Sequence, residues 1–157
     1  MDAPGNPEFA IGGVSSDGVV VLDQEVIGML GVPRHVIDLE IQRQRAEMER
    51  RMRQYRGKSP PAPLKDKIVI LTDDGVATGA TMLAGLKALR AKHPLQRIVA
   101  VPAGPSDTIR RLDQEADRVV VLDTPEPFHA VGQCYERFEQ VSDQEVVRLL
   151  DQARDKA

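Results

Sequence analysis

The chain has 157 residues, of which 41% are hydrophobic and 29% are charged, a balance typical of a soluble globular protein with one modest core. Its formal net charge of −3 gives no electrostatic reason to expect binding to nucleic acid or to an anionic membrane surface. The single cysteine excludes an internal disulfide, and no apolar run approaches the roughly 20 residues that span a bilayer, so we expect a cytoplasmic protein.

Residues 1–32 predict a β-hairpin with a flexible-loop region. Short apolar runs at Glu8–Val14 and Val19–Leu22 flank the segment Ser15-Ser16-Asp17-Gly18. An Asp-Gly pair between two such runs is a strong hairpin signal, because these residues tolerate the backbone angles of a tight turn. We therefore expect an antiparallel pair of strands near the start of the chain.

Residues 33–57 predict one long and mostly solvated helical arm, because the segment is free of Gly and Pro from residue 34 until Gly57. Glu47–Arg51 and Glu49–Arg53 are i,i+4 pairs in the favourable order. Because glutamates alternate with the arginines, a charged outer face is favoured over a patch for phosphate or nucleic acid. The apolar positions form a narrow stripe at helical spacing: Ile37, Ile41, Met48, Met52 and Tyr55.

Residues 66–157 predict an α/β core that ends in a carboxy-terminal helix, after a Pro-rich linker. Alternation of apolar runs with helical patterns indicates a Rossmann-like parallel sheet, whose continuous apolar strands we expect to be covered on both faces. Doubly wound sheets usually have more than three strands, so this one looks short by a strand-helix unit. The predicted strands are Ile68–Leu71, Ile98–Val101 and Val119–Leu122, and the predicted helices are Gly79–Ala91, Ser106–Ala116 and Ser142 to about Arg154.

The stretch IVILTDDGVATGAT, residues 68–81, contains the candidate site. In an open parallel sheet, ligands bind beyond the carboxyl ends of the strands, which is where Asp73 and Asp74 stand. A helix beginning near Gly79 offers free backbone N–H groups to an anion without needing Lys or Arg. Carboxylate acceptors beside donors for an anion suit a sugar phosphate, and Thr78 and Thr81 add hydroxyl groups.

Other phosphate motifs fit this stretch less well. A Walker A loop requires G-x-x-x-x-G-K-[ST], which occurs nowhere in the chain, and a dinucleotide fingerprint requires G-x-G-x-x-G. The spacing of Gly75 and Gly79 does not supply that fingerprint. If the two acidic residues only capped a helix, that role would leave unexplained why there are two of them and why the loop contains two threonines.

The stretch resembles the phosphoribosyl-pyrophosphate motif of type I phosphoribosyltransferases, and GNPEFAIGGV and TPEPFHAVGQCYERFEQVSDQEV resemble a bacterial branch of that family. The resemblance implies transfer of a 5-phosphoribosyl group to a nitrogenous base, with Mg²⁺ bound mainly through the substrate pyrophosphate. It implies that Asp73 and Asp74 bind the ribose 2- and 3-hydroxyls and that Ala77–Thr81 bind the 5-phosphate. It assigns no catalytic residue. The expected substrate-binding residues are Asp73, Asp74, Gly75, Ala77, Thr78, Gly79, Ala80 and Thr81.

Ala77 bears on the acceptor that the resemblance implies. Family members that use 6-oxopurines carry an aspartate there as general base, so Ala77 argues against hypoxanthine and guanine and leaves adenine- and orotate-type chemistry open. The family places base contacts near the end of its last strand, which makes Phe128 and His129 candidates for touching the base.

Residues 1–67 contain nothing that resembles the family's pyrophosphate-binding loop. We therefore expect a chain that lacks the amino-terminal strand and that loop, either truncated or naturally short. Two hypotheses follow: a phosphoribosyltransferase-like enzyme, or a non-catalytic phosphoribosyl-binding or assembly module. The sheet edge exposed by the missing unit would pair with another chain, so we expect a homodimer.

Overall fold

The computed structural model describes residues 1–3, 6–15, 17–57 and 61–154 of the chain. Its elements confirm the predicted α/β fold, with antiparallel strands first, a long helix next and a parallel sheet last. The strands are β1 (Asp2–Ala3), β2 (Asn6–Ala10), β3 (Gly12–Val14), β4 (Val20–Leu22), β5 (Ile68–Thr72), β6 (Gln96–Ala103) and β7 (Arg118–Asp123). The helices are α1 (Gln24–Leu30), α2 (Arg34–Arg56), α3 (Ala80–Arg90), α4 (Ser106–Asp113), a 3₁₀ turn (Val131–Cys134) and α5 (Asp143–Arg154).

The predicted hairpin is formed by β3 and β4, which pair antiparallel with Gly12 opposite Leu22 and Val14 opposite Val20. Its first strand is shorter than predicted, because the residues before it pair separately as β1 and β2. The hairpin packs on α3: a Cβ atom at Gly13 would lie 2.5 Å from the carbonyl oxygen of Ala80. Ser16, at the predicted turn, lies outside the described residues.

Helix α1 was missed by the sequence analysis, which assigned residues 1–32 to a hairpin and a loop. The Val26 N–H donates to Asp23 Oδ1 at 3.1 Å, so Asp23 is the N-cap. Gly31 ends the helix in the left-handed conformation, with φ of 61°. Both caps are visible in the sequence, but the helix has only seven residues and contains Gly28, which weakens its helical pattern.

Helix α2 confirms the predicted long and largely solvated arm, and Gly57 follows its last residue as expected. Both predicted ion pairs are present, with 2.7 Å between Glu47 and Arg51 and 3.9 Å between Glu49 and Arg53. Exposed pairs of this kind contribute little stability, so the arm needs packing to hold it. Ile37 supplies that packing, because it is buried with Ile11 in a small core that also includes Leu22 of the hairpin and Val26 of α1.

The parallel sheet has the strand order β5-β6-β7, with Ile70 opposite Ile98 on the neighbouring strand. Three residues are completely buried in its core, Leu86 of α3, Val99 of β6 and Leu112 of α4. Val99 and Val101, which share one face of β6, lie in the same buried cluster as Leu86 and Leu112, so both helices cover that face of the sheet. Strands that step in one direction through right-handed crossovers produce this one-sided arrangement.

The prediction that these strands are covered on both faces is wrong for the described residues. Residues of β5 and β7 alternate between half-buried and exposed along most of each strand. Ile70 is 59% exposed and Leu122 is 83% exposed, on the face opposite α3 and α4. Three strands wound in one direction do not create a second helical layer, so that apolar face stays bare.

Beyond β7, the chain crosses the carboxyl ends of the strands and then forms α5. The Glu145 N–H donates to Ser142 Oγ at 3.3 Å, which confirms the predicted start of this last helix. The helix is tied to α2 because Asp143 accepts hydrogen bonds from Tyr55 and Arg50. Within the described ranges, no helix is both long and apolar enough to cross a membrane.

Candidate functional site

The acidic pair follows β5 directly, at the carboxyl end of the parallel sheet. The structure places Asp73 and Asp74 in an exposed turn and buries the next residue, Gly75. A Cβ atom at Gly75 would lie 2.6 Å from a methyl group of Val131, so only glycine fits there without movement. The Val76 N–H then donates to the carbonyl oxygen of Ala103 at 2.9 Å, which attaches the turn to the end of β6.

The two carboxylates of the turn have different surroundings. The backbone N–H of Asp74 donates to Asp73 Oδ1 at 3.0 Å. Burial raises the pKa of Asp73 above its ordinary value and the negative charge of Asp74 acts in the same direction, while that hydrogen bond opposes both. The side chain still has access to solvent because it lines an open groove. The carboxylate of Asp74 has no hydrogen-bond or ion-pair partner in the part of the chain that the structure describes.

The small-residue loop leads from this turn into α3. The Thr108 hydroxyl donates to the carbonyl oxygen of Ala77 at 2.7 Å, and the Ala80 N–H donates weakly to Thr78 Oγ1 at 3.4 Å. Gly79 precedes the helix in the left-handed conformation, with φ of 71°. A Cβ atom at Gly79 would lie 2.8 Å from Thr108 Cγ2, so glycine is required there both by conformation and by space.

Backbone donors remain available where α3 begins. The first intrahelical bond runs from the Leu83 N–H to the carbonyl oxygen of Gly79 at 2.8 Å. The N–H groups of Gly79, Thr81 and Met82 have no hydrogen-bond partner among the described residues. Free N–H groups and the positive end of the helix dipole together favour an anion.

Asp73 and Thr81 line the same large groove, which has a volume of about 1390 Å³ between β5, α3 and α2. Asp74 is exposed outside that lining, while Gly75, Gly79 and Ala80 are buried beneath the loop. The predicted residues therefore lie together at the carboxyl end of β5. Some of them are accessible to a ligand, and the buried ones support the backbone of the loop. The groove also carries cationic side chains, Arg45, Arg53, Arg56, Lys65 and Lys92.

A second and smaller pocket of about 310 Å³ lies beyond the ends of β6 and β7. Phe128, one of the two candidates for contact with a base, lines it. The other candidate, His129, is exposed and is held through its backbone, whose N–H donates to Gln133 Oε1 at 2.9 Å. The remaining lining residues are Pro105, Ser106, Asp107, Arg110, Pro125 and Glu126.

Two residues near the acidic turn were missed by the sequence analysis. Thr108 supports the small-residue loop from α4, and the Tyr135 hydroxyl donates to the carbonyl oxygen of Asp74 at 2.6 Å. Each lies far along the chain from its partner. Thr108 belongs to no motif found in the sequence, and the resemblance of TPEPFHAVGQCYERFEQVSDQEV to the family assigns no role to Tyr135. No periodicity or spacing in the sequence signals such contacts.

The described residues contain no group of three or more His, Cys, Asp or Glu side chains placed to hold a metal ion. The acidic pair therefore lacks a third protein ligand of those types within the described ranges. A Mg²⁺ ion at this turn would need most of its six oxygen ligands from a bound substrate and from water.

Comparison with known proteins places the chain in a family. The model of the phosphoribosyl transferase domain matches residues 2–137. Two Mycobacterium tuberculosis proteins, "Putative phosphoribosyl transferase MT0597" of strain CDC 1551 / Oshkosh and "Putative phosphoribosyl transferase Rv0571c" of strain ATCC 25618 / H37Rv, are each 40% identical over 153 residues. The match covers 98% of this chain and 34% of each relative, so the chain spans about a third of their length.

A solved structure has a similar fold and a similar sequence. The crystal structure of the protein TT1426 from Thermus thermophilus matches with a TM-score of 0.69 and 39% sequence identity, over 95% of this chain and 70% of that one. The family model, the relatives and this structure agree with the resemblance of residues 68–81 to the type I motif. The chain therefore belongs to the type I phosphoribosyltransferase family.

Proposed function

We propose that this chain binds phosphoribosyl pyrophosphate or ribose 5-phosphate at the carboxyl end of β5. One observation carries the proposal: exposed carboxylates and a helix N-terminus with N–H groups that have no partner among the described residues lie within residues 73–82. Asp73 and Asp74 would accept hydrogen bonds from the ribose 2- and 3-hydroxyls. The 5-phosphate would bind in the loop from Ala77 to Thr81. Its oxygens would accept hydrogen bonds from the free N–H groups at the start of α3.

The reaction proposed for this site is transfer of the 5-phosphoribosyl group to a nitrogenous base. The bond between the anomeric carbon and the pyrophosphate oxygen breaks, a carbon–nitrogen bond forms, and pyrophosphate leaves with the bonding electrons. The proton displaced from the nitrogen of the base passes to water. The carboxylates of Asp73 and Asp74 would hold the ribose and favour the positive charge that develops on the sugar. Mg²⁺, carried mainly by the pyrophosphate, would neutralise charge on the leaving group.

The acceptor proposed is an adenine- or orotate-type base rather than a 6-oxopurine. Ala77 is exposed and carries no group that could take a proton from a base. The pocket lined by Phe128 lies beyond the neighbouring strand ends and offers an apolar wall to a planar ring. Its volume of about 310 Å³ is at the lower end of the range for small-molecule pockets.

Calorimetric titration with ribose 5-phosphate and with phosphoribosyl pyrophosphate, with and without Mg²⁺, tests the site. Asp74→Asn should weaken both ligands by roughly tenfold or more, because hydrogen bonds to a charged group are lost. Thr78→Ala should weaken them by roughly threefold to tenfold, because a neutral hydroxyl beside the phosphate loop is lost. Asp113→Asn, in an exposed aspartate at the end of α4, is the matched control and should change nothing.

Two results separate the outcomes of that titration. Unchanged affinity in both site variants would show that the ligand binds elsewhere. Pyrophosphate release, measured with adenine and with orotate as acceptors, reports turnover. Wild-type binding without release would favour the non-catalytic phosphoribosyl-binding module.

We also infer that the chain works as a cytoplasmic homodimer. Among the described strands, β5 has a neighbour on one side only, and the face formed by Ile68, Ile70 and Leu122 is apolar and exposed. Open edges and bare apolar faces favour association with another chain. Light scattering at micromolar concentration should give twice the chain mass, and Leu122→Lys should lower it. A monomer in the wild type would contradict the proposal.

A further inference from the structure

The segment 131–138 crosses over the acidic turn and touches it at two points. The Tyr135 hydroxyl donates to the carbonyl oxygen of Asp74 at 2.6 Å, a contact between residues 61 positions apart. Val131 packs its methyl groups against the Cα of Gly75, where a Cβ atom would lie 2.6 Å from Val131 Cγ1. The peptide unit that joins Asp74 to Gly75 is therefore held at both of its ends.

The contacts from Tyr135 and Val131 matter because few other contacts within the described residues fix Asp74. Its backbone N–H donates to Asp73 Oδ1, and its carboxylate has no partner within the described residues. The residue that follows is Gly75, whose backbone has more conformational freedom than that of any other residue type. Without the bond from Tyr135, rotation about this glycine would swing the Asp74 carboxylate away from a bound ribose.

Tyr135 is itself held in place by the segment. Its ring lies against that of Phe138, with centroids 5.2 Å apart and an angle of 34° between the planes. Phe138 in turn packs on Gly132, where a Cβ atom would lie 3.0 Å from Phe138 Cδ1. Gln133 fixes the approach to the segment, because its Nε2 donates to the carbonyl oxygen of Pro127 at 3.1 Å. Contacts within the segment 131–138 thus fix the position of the phenol ring, although Tyr135 is 37% exposed.

We propose that Tyr135 is a positioning residue that aims the Asp74 carboxylate at the ribose hydroxyls. This inference rests on the function proposed above and assigns a role to a residue outside the motif. Tyr135 acts on the hydroxyl end of the ligand only, because its contact is with Asp74 and not with the loop that begins α3. Its removal should therefore weaken ligands that carry a ribose and spare a bare phosphate.

Tyr135→Phe removes the hydroxyl and keeps the ring, so it tests the hydrogen bond alone. Calorimetry should show ribose 5-phosphate binding weakened by roughly threefold to tenfold, as expected for one lost neutral hydrogen bond. The affinity for inorganic phosphate, followed by NMR titration, should stay the same. Tyr55→Phe is the matched control, because the other tyrosine of the chain bonds Asp143 on α5, and ribose 5-phosphate affinity should not change.

A purely structural role for Tyr135 predicts a different result. Loss of the hydroxyl would then lower the melting temperature and weaken both ligands equally, which would overturn the inference. Phe138→Leu provides a second variant that keeps the hydroxyl and loosens the ring beside it. It should weaken ribose 5-phosphate by a smaller factor than Tyr135→Phe and again spare phosphate.

The same titrations distinguish failure of this inference from failure of the proposed function. If wild type binds ribose 5-phosphate and Asp74→Asn weakens it while Tyr135→Phe does not, only the positioning role is wrong. If wild type binds neither ribose 5-phosphate nor phosphoribosyl pyrophosphate, both are wrong. Selective weakening in Tyr135→Phe supports both.

Discussion

The two faces of the parallel sheet carry similar side chains and have different surroundings. On the face covered by α3 and α4, Val99 of β6 is completely buried, as is Leu86 of α3 in the same core. On the opposite face, Ile70 is 59% exposed and Leu122 is 83% exposed. Since residues of both faces alternate along the same strands, residue type alone does not decide which face is buried. The direction in which the chain steps from strand to strand decides it.

The largest difference expected between the two faces is in stability. Leu86→Ala should lower the free energy of unfolding by about 2–5 kcal/mol, because it leaves a cavity among fully packed neighbours. Leu122→Ala, the same substitution on the bare face, should change it by less than about 0.5 kcal/mol at protein concentrations low enough for the proposed dimer to dissociate. Urea unfolding followed by circular dichroism measures both. Equal losses would show that the bare face is covered in solution.

The candidate site is supported by the helices of the packed face, and substitution of Gly79 tests that support. Gly79→Ala should cost about 1–3 kcal/mol, because alanine at φ of 71° is strained and its Cβ would press on Thr108 of α4. It should also weaken ribose 5-phosphate binding, since the start of α3 would move. Thermal unfolding and calorimetry measure the two effects on one variant.

Gly28→Ala is the matched control for that substitution. Gly28 lies within α1, and apart from its chain neighbours and the backbone of its own helix no atom of the described residues lies within 4 Å of the position of an added Cβ. Alanine there should stabilise the protein by about 0.5–1 kcal/mol, because it favours the helical backbone. Equal destabilisation by both substitutions would contradict a specific role for Gly79.

The order of strands and helices from β5 to β7 was predictable because local signals agree with the tertiary structure there. Continuous apolar runs mark the strands, and the loop of small residues before Ala80 marks a helix that starts at the sheet edge. Helix α1 was not predictable at the same level, since seven residues that include Gly28 give a weak periodic signal. The sequence predicted burial on both faces of the sheet, and the structure has burial on one. The difference depends on crossover direction and not on composition.

The candidate site likewise has one part that the sequence predicts and another part that it does not. Asp73, Asp74 and the loop up to Thr81 are contiguous, so their chemistry could be read from one stretch. The groups that hold this stretch come from elsewhere: Thr108 lies on α4, and Tyr135 follows the 3₁₀ turn. A hydrogen bond across 61 positions leaves no pattern in a single sequence.

The smallest effect expected concerns the edge of the sheet opposite the site. Arg97 donates to Asp117 from its backbone N–H at 2.7 Å and from Nη2 at 3.2 Å, which joins β6 to the start of β7. The hydrogen bonds from the Arg97 side chain, followed by that from its backbone, lower the pKa of Asp117 below its ordinary value. The stability that Asp117 contributes is therefore full above its unfolded pKa of about 4 and is lost as pH falls through the lower, folded pKa.

Asp117→Asn should lower the free energy of unfolding at pH 7 by less than about 1 kcal/mol, because the carboxylate is partly exposed and water screens the pair. Urea unfolding at pH 7 and at successive values below about pH 4 should show the difference between wild type and variant shrinking as pH falls. Asp113→Asn, in an exposed aspartate without an ion pair in the described ranges, should not show that convergence. A difference for Asp117→Asn that stayed constant down to about pH 2 would mean that the asparagine loses packing or backbone contacts and not the charge.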